Sequence, residues 1–407
     1  MNAAIDTVRT ETSSYRWIIL FFCWLAFLFD TICRLTWSSI STTVAGSIGL
    51  PIGALGTFVT AFLIGSVACN MLGGLSSDRF GGRIVIAISM ICLGVSTFAF
   101  SLMASIPSGL TIQLLMGLSA GANYAACVKL IVTWFDPSKR GQAMGIFLMA
   151  ISLGIVATNA IVPSLMAHIG WVGVYRLLGV ATSILGIICF IILRDRQALA
   201  TSPSAGSAPA PKLGDLATDR NLLLAAAGGF GGFWGTWGFT YWASALLIRG
   251  RGFTPVEAGT IVALVGSAGL VGKPLAGWLS DRLGGQRKWL IILFLVLLSV
   301  ALTLFGFLET RISFQIAAPL LGIGAFCYSP LIVTLMAELS GPKLAGSVAG
   351  MATALWQVGG LIVPLVVGYV FQVTGSFVDV FAMLALGPLA GAVCMLCVKT
   401  PRRGLSL

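Results

Sequence analysis

The 407-residue chain is 57% hydrophobic and 9% charged, and its formal net charge at pH 7 is +11. An ordinary soluble domain is about 25% charged. This composition therefore excludes a water-soluble globular protein, because the interior of such a fold could not bury so many apolar groups away from water. Most of the chain must therefore lie in lipid, where helices satisfy the polar groups of the backbone internally. The 50 glycines fit this class, because small residues let membrane helices pack closely.

Long apolar runs follow one another along nearly the whole chain. A hydrocarbon core about 30 Å thick requires about 20 apolar residues for one helical crossing. The first run is too long for a cleaved signal peptide, so we expect it to remain as a helix. The predicted fold class is an all-α membrane protein with twelve transmembrane helices. They lie near residues 17–45, 53–75, 83–105, 109–134, 141–167, 171–194, 221–248, 256–280, 288–308, 312–338, 345–372 and 377–399.

The positive charges are distributed unevenly between the two sides of the predicted membrane. Seventeen of the 24 Lys and Arg residues fall on the side of the N-terminus, four fall on the opposite side, and three lie inside helices. Cytoplasmic loops carry an excess of Lys and Arg, so we predict cytoplasmic termini and an integral protein of the inner or plasma membrane. The same bias accounts for the net charge without a nucleic-acid partner.

One segment differs in composition from the rest of the chain. Residues 198–212 read ALATSPSAGSAPAPK, and this richness in Ala, Ser and Pro is typical of flexible linkers. The segment follows the sixth predicted helix. The predicted domains are an N-terminal six-helix bundle at 1–194, a cytoplasmic linker at 195–220 and a C-terminal six-helix bundle at 221–407.

The two predicted bundles share a motif. The sequence GLSSDRFGGR at 74–83, after the second helix, recurs as GWLSDRLGGQR at 277–287, after the eighth helix. Asp281 follows Asp78 by 203 residues. Related halves in a membrane protein indicate a transporter with its site between them.

The pattern Gly-x-x-x-Asp-Arg-x-Gly-x-Arg between helices two and three resembles the signature loop of the major facilitator superfamily. The resemblance extends over about residues 15–400, and it implies two pseudo-symmetric six-helix bundles that transport a solute by alternating access. In that family the loop Asp lies near the N-terminus of a helix in the opposite half, where the helix dipole stabilises a carboxylate. The alternative is that these residues only shape turns and set topology. The resemblance implies gating roles for Asp78, Arg79, Arg83, Asp281 and Arg282.

Charged residues inside predicted helices are costly and usually face a partner or a cavity. Asp30 and Arg34 lie four residues apart in the first helix and therefore on one face. We predict that Asp30 takes part in proton coupling and that Arg34 binds substrate; the alternative is a structural pair that neutralises itself. Lys129 lies near the inner end of helix 4, where it either lines a cavity or extends to the interface.

Lys273 precedes Pro274 in the eighth predicted helix. This stretch resembles helix 8 of the organic-anion, nitrate and oxalate branches of the superfamily, in which an Arg or Lys just before Pro contacts the anionic substrate. The repeat position in the first half is Asn70, which is uncharged. Three cations against one acid in the predicted helices give a positive interior, which favours anions. We therefore expect a small organic anion as substrate.

Helices 1, 4, 7 and 10 line the cavity in this family, and polar and aromatic residues in or near them are further candidates. Glycines beside aromatic residues in helix 7 leave room for a carbon skeleton, although packing and an interfacial aromatic belt are the alternative. The complete set of predicted substrate-binding residues is Arg34, Lys273, Tyr124, Asn123, Trp234, Trp237, Tyr328 and Gln357.

Several other classes of protein fit the sequence less well. Drug/proton exporters of the superfamily usually carry an Arg in helix 4, where this chain has Gln113, and a Gly-Pro pair that helix 5 here lacks. No nucleophile–base pair or metal cluster indicates an enzyme, and no nucleotide-binding loop indicates ATP. We therefore predict a monomeric secondary transporter without cofactor or metal. Its partners are a small anion, H⁺ in symport and membrane lipid, with anion exchange as the alternative and metabolite or drug export as a less favoured one.

Overall fold

The computed structural model describes residues 2–51, 54–135, 137–195, 219–283, 286–340 and 345–399. This part of the chain consists of helices and the short connections between them. The helices are α1 (Asn2–Ile48), α2 (Leu55–Phe80), α3 (Gly82–Phe100), α4 (Ile106–Trp134), a long helical stretch at Pro137–Ile192, α7 (Arg220–Arg251), α8 (Pro255–Arg282), α9 (Arg287–Phe307), α10 (Arg311–Ser340), α11 (Ala345–Thr374) and α12 (Phe377–Cys397).

The long stretch Pro137–Ile192 is broken at Gly170, whose backbone has φ 67° and ψ 169°. Glycine adopts positive φ without a steric penalty, so the chain turns here without a separate loop. The break divides the stretch into α5 (137–169) and α6 (171–192). The described residues thus form twelve helical segments, and the predicted all-α fold class is confirmed.

Nine stretches of the described chain are long and apolar enough to cross a membrane. One of them, Ala143–Ile192, contains both α5 and α6. In α2 the apolar stretch is shorter, at Leu55–Asn70, and α7 is not among the nine because its glycines, threonines and tryptophans lower its hydropathy. The chain is an integral, multi-pass membrane protein.

Polar side chains at the helix starts satisfy backbone N–H groups that have no partner inside the helix. Ser105 and Ser108 form a reciprocal capping box at α4, and the Asp219 carboxylate accepts hydrogen bonds from two N–H groups in the first turn of α7. Ser376 caps α12 in the same way. Such caps each stabilise a helix by about 1 kcal/mol, and they fix where these helices begin.

The chain divides into two compact units, Met1–Thr201 and Ser202–Leu407. The first unit contains α1 to α6 and the second contains α7 to α12. The predicted cytoplasmic linker at 195–220 lies almost wholly outside the described residues.

Each unit contains a helix pair in which the two backbones touch. In the first unit, a Cβ on Gly117 of α4 would lie 1.9 Å from the carbonyl oxygen of Phe62 in α2. In the second unit, a Cβ on Gly322 of α10 would lie 2.2 Å from the carbonyl oxygen of Val265 in α8. Gly322 follows Gly117 by 205 residues and Val265 follows Phe62 by 203, nearly the spacing of the sequence repeat. The internal repeat is therefore also a repeat of packing.

Candidate functional site

The first copy of the signature loop is held against its own unit by Arg83. The Arg83 Nε donates a hydrogen bond to the carbonyl oxygen of Phe190 at 2.7 Å, and its guanidinium lies 4.6 Å from the centre of the Phe190 ring. The backbone N–H of Arg83 donates to Asp195. Arg79 is exposed beside Phe80. Arg83 thus joins the start of α3 to the end of α6, while the side chain of Asp78 lies outside the described residues.

Lys129 of α4 is directed toward the same loop. Its ammonium donates a hydrogen bond to the carbonyl oxygen of Ser77 at 2.5 Å, and that oxygen also accepts from the N–H of Gly81 at 3.0 Å. Ser77 lies in the last turn of α2, where the helix dipole favours a positive charge. The ammonium therefore stabilises the end of α2 directly before the Asp78–Arg79 pair.

The second copy of the loop has a different set of contacts. The guanidinium of Arg282 lies 4.2 Å from the centre of the Trp278 ring. At the start of α9, Arg287 forms an ion pair with Glu338 near the end of α10. The side chain of Asp281 lies outside the described residues, so its predicted gating role stays a prediction.

Asp30 and Arg34 occupy the interior of the first unit. Asp30 is 5% exposed, Arg34 is half-buried, and the guanidinium acts electrostatically on the carboxyl. Within the described part of the chain, Asp30 Oδ1 is buried and accepts no hydrogen bond. Next to this pair, Cys33 Sγ lies 3.4 Å from Thr182 Oγ1 of α6. This part of α1 therefore packs against helices of its own unit.

Asn123 and Tyr124 of α4 have different environments. The Asn123 side chain is fully buried and accepts a hydrogen bond from Cys127 Sγ at 3.5 Å. Its amide nitrogen has no hydrogen-bond partner among the described residues. Tyr124 belongs to an aromatic cluster in which its ring centre lies 5.3 Å from Phe27 and 6.1 Å from Phe147.

Lys273 lies over an aromatic ring in the second unit. Its Nζ is 5.1 Å from the centre of the Phe326 ring of α10. A Cβ on Gly269 would lie 2.3 Å from Phe326, and a Cβ on Gly272 would lie 2.6 Å from Cys327 Sγ. These two glycines let α10 approach α8 closely, which places the lysine on the ring. A cation–π contact of this kind contributes about 2 kcal/mol when it is desolvated.

The sequence did not identify Phe326 as a site residue, because no local motif distinguishes it. The only local signal is that two glycines lie within one turn of a membrane lysine, which indicates that a neighbouring helix packs closely there.

The aromatic residues of α7 form two groups. Phe233, Trp237 and Tyr241 form a column with ring centres 5.5 Å and 5.3 Å apart. Trp234 instead lies near Phe230, and a Cβ on Gly387 of α12 would meet its ring at 2.6 Å. The two predicted tryptophans, Trp234 and Trp237, are therefore not brought together.

The remaining predicted residues are on α10 and α11. Tyr328 is 3% exposed, and a Cβ on Gly232 of α7 would lie 2.5 Å from its ring. Gln357 is half-buried. The second unit thus holds a lysine, its aromatic partner and the column on α7, whereas the first unit holds a buried acid, an arginine and an amide. Among the residues that the structure describes, no group of three or more His, Cys, Asp or Glu is placed to hold a metal.

The sequence profile of the Major Facilitator Superfamily matches residues 20–364, which is most of the chain. The chain belongs to the Major Facilitator Superfamily. Its similarity to a solved structure fits this assignment: an inward-facing, unoccupied bacterial homologue of the human lysosomal transporter Spinster superposes with a TM-score of 0.77. The superposition covers 94% of this chain and 95% of that chain at 14% sequence identity, so it shows the fold alone.

Curated relatives of this superfamily member are similar to it along nearly their whole length. A "Probable galactarate/D-glucarate transporter" of Bacillus subtilis is 23% identical over 97% of this chain and 94% of the relative. The "Hexuronate transporter" of the same organism is 23% identical over 90% of each chain. A "Probable sulfoacetate transporter" of Cupriavidus necator is 25% identical over 92% of this chain and 93% of the relative. The compounds in all three names are organic anions.

Proposed function

We propose that this major facilitator protein is a secondary active transporter of a small organic anion that carries a carboxylate. The observation that carries the proposal is Lys273, a cation within a membrane-spanning helix whose ammonium lies on the Phe326 ring. Placing a charged side chain within a membrane helix is energetically costly, so its presence there indicates a role in binding or transport. The names of the relatives support the same class of substrate, since galactarate, glucarate and hexuronate are carboxylates.

Phe326 and the α7 column suggest how a carboxylate would be held. The ring of Phe326 limits the positions that the Lys273 ammonium can adopt, so less side-chain entropy is lost when an anion binds. The column of Phe233, Trp237 and Tyr241 offers aromatic faces against which the carbon skeleton of the substrate can pack. In this proposal Lys273 binds the carboxylate, and the aromatic residues contact the apolar part of the molecule.

Thermal stabilisation of the purified protein by ligands tests this function. The panel contains a hexuronate, glucarate, sulfoacetate, aromatic and short monocarboxylates, inorganic anions and lipophilic cations. A ligand at 100 times its Kd stabilises the folded state by about 2.7 kcal/mol, so we expect at least one carboxylate to raise the melting temperature clearly. In Lys273→Ala this shift is lost, because the carboxylate has no cation to meet.

Two variants control this experiment. Lys273→Arg keeps the charge and is expected to retain at least part of the ligand shift. Lys129→Ala removes a membrane-helix cation whose ammonium is bonded to Ser77, and it is expected to lower the basal melting temperature while keeping the ligand shift. Stabilisation by lipophilic cations alone would contradict the anion proposal and favour an exporter.

For the coupling ion we propose H⁺, with Asp30 as the residue that takes the proton during symport. Asp30 is buried beside Arg34, and an anion that draws the guanidinium away would leave the carboxyl to be neutralised by a proton. In proteoliposomes, Asp30→Asn is expected to abolish uptake driven by a pH gradient while anion exchange continues. Unchanged pH-driven uptake in Asp30→Asn would exclude this role and leave anion exchange as the function.

The remaining parts of the proposal follow from the family. The two six-helix bundles would expose the site alternately to either side of the membrane. Both signature loops, with their acidic residues and with Arg79, Arg83 and Arg282, would control that change, and both termini would be cytoplasmic.

A further inference from the structure

A large apolar groove lies on the second unit, apart from Lys273 and its neighbours. It has a volume of about 650 Å³ and lies between α7 and α12, with Leu355 of α11 at one side. Every residue that lines it is apolar or glycine, including Phe230 and Trp234 of α7 and Ala390 and Cys394 of α12. The lining offers no cation, and its side-chain hydrogen-bond donors are limited to the Trp234 indole and the weak thiol of Cys394, so the groove does not suit a water-soluble anion.

The contact between the two helix backbones explains why the groove exists. A Cβ on Gly231 of α7 would lie 2.2 Å from the carbonyl oxygen of Gly387, and a Cβ on Gly391 would lie 2.7 Å from that of Gly228. Side chains are therefore missing along the line where α7 and α12 meet. The rings of Phe230 and Trp234, 6.4 Å apart, form one wall beside this line.

The exposure and the length of the groove indicate what kind of molecule fits it. Leu386 is 63% exposed and Leu355 is 42% exposed, so the groove is open along one side. Exposed apolar surface in the middle of membrane-spanning helices contacts the hydrocarbon of the bilayer. The groove extends along α7 from Leu223 to Trp234, eleven residues or about 16 Å at 1.5 Å per residue. This shape and lining suit an acyl chain.

Two cations lie at the end of the groove marked by Leu223. Arg220 precedes Leu223 by three residues and is therefore on the same side of α7. The backbone N–H of Lys399 donates a hydrogen bond to Asn221 Oδ1 at 2.9 Å, which holds the end of α12 beside the first turn of α7. Both Arg220 and Lys399 are exposed. One oxygen of the nearby Asp219 carboxylate, Oδ1, accepts hydrogen bonds from two N–H groups of the helix start.

We propose that this groove is a specific site for an anionic phospholipid, with one acyl chain between α7 and α12 and the phosphate at Arg220 and Lys399. Exposed cations at the end of an apolar groove match the headgroup and the chain of such a lipid in the order in which a bilayer presents them. The site is independent of the anion-transport proposal. It assigns Trp234 to the lipid groove and not to the substrate.

Native mass spectrometry of the detergent-purified protein tests the site, with phosphatidylglycerol and phosphatidylcholine supplied in equal amounts. The wild-type protein is expected to retain one phosphatidylglycerol. Ala390→Trp and Ala227→Phe each place a ring in the groove and are expected to reduce the retained lipid about tenfold. The matched control is Val300→Trp, on exposed apolar surface of α9 outside the groove, which is expected to bind lipid as the wild type does.

Changes at the headgroup end separate the lipid from a free anion. The double variant Arg220→Gln, Lys399→Gln is expected to bind both lipids equally, since only the charge preference is lost. Inorganic phosphate is expected not to displace the lipid. Equal lipid retention in Ala390→Trp, Ala227→Phe and Val300→Trp would overturn the proposal. Displacement by phosphate alone would also overturn it, because the cations would then form a simple anion site without a role for the groove.

Discussion

Gly117→Val is expected to prevent stable folding of the first unit. The contact between α4 and α2 is backbone to backbone: a Cβ on Gly117 would lie 1.9 Å from the carbonyl oxygen of Phe62, and one on Gly121 would lie 2.1 Å from that of Ser66. Overpacking against movable side chains costs about 1–3 kcal/mol. Here no side chain can move aside, so the helices themselves must separate, and we expect a larger loss of stability.

The measurement for this variant is the yield of monodisperse protein in size-exclusion chromatography, together with its melting temperature. Gly145→Val is the matched control, because nothing lies within 4 Å of a Cβ on this helical glycine of α5. Gly322→Val, at the equivalent contact of the second unit, is expected to fail in the same way as Gly117→Val. If Gly117→Val were recovered as well as Gly145→Val, the close contact between α2 and α4 would be wrong.

Arg34→Met is expected to destabilise the protein strongly because it leaves the Asp30 carboxylate buried without its neighbouring cation. The Arg34 guanidinium acts electrostatically on this carboxyl, and a buried carboxylate that loses a nearby cation is left uncompensated in a poorly solvated environment. Asp30 Oδ1 already lacks a hydrogen bond within the described residues, so no hydrogen bond to this oxygen offsets the lost charge. The melting temperature is expected to fall well below that of the wild type at pH 8, since high pH favours the ionised form of the carboxyl.

A double-mutant cycle identifies the cause of this loss. Asp30→Asn added to Arg34→Met removes the uncompensated charge and is expected to restore most of the melting temperature, so the two effects are far from additive. Lowering the pH is expected to act in the same direction on Arg34→Met alone, because protonation neutralises the carboxyl. Additive effects of the two substitutions would show that Arg34 stabilises the protein through other contacts.

The number and type of helices could be predicted from the sequence because the thickness of the bilayer sets the length of each apolar run. The first and last residues of a helix are less predictable where they do not coincide with a change between apolar and polar sequence. The first helix was predicted at 17–45, yet α1 extends from Asn2 to Ile48 through polar residues that carry no hydrophobic signal. The turn between α5 and α6 depends on the backbone angles of Gly170, a single residue within an almost continuous apolar stretch.

The candidate site was less predictable than the fold because it depends on contacts between helices. Sequence placed Lys129 near a membrane interface but could not show that its ammonium reaches the carbonyl of Ser77, 52 residues away. Phe326 was missed because its partner, Lys273, is on another helix. Trp234 and Trp237 are only three residues apart, and the pattern along α7 does not indicate that one lies against α12 and the other in the column with Phe233.

The glycine contacts at Gly117 and Gly322 restrict how each unit can deform. Most helix interfaces can shear slightly, because side chains between the helices change rotamer and keep the gap filled. At Gly117 and Gly322 the carbonyl oxygens of Phe62 and Val265 touch the opposite backbone directly, so no rotamer can absorb a small displacement. We therefore expect each of the pairs α2–α4 and α8–α10 to move as one rigid body. Bending within a unit is then expected at the helix interfaces that side chains fill.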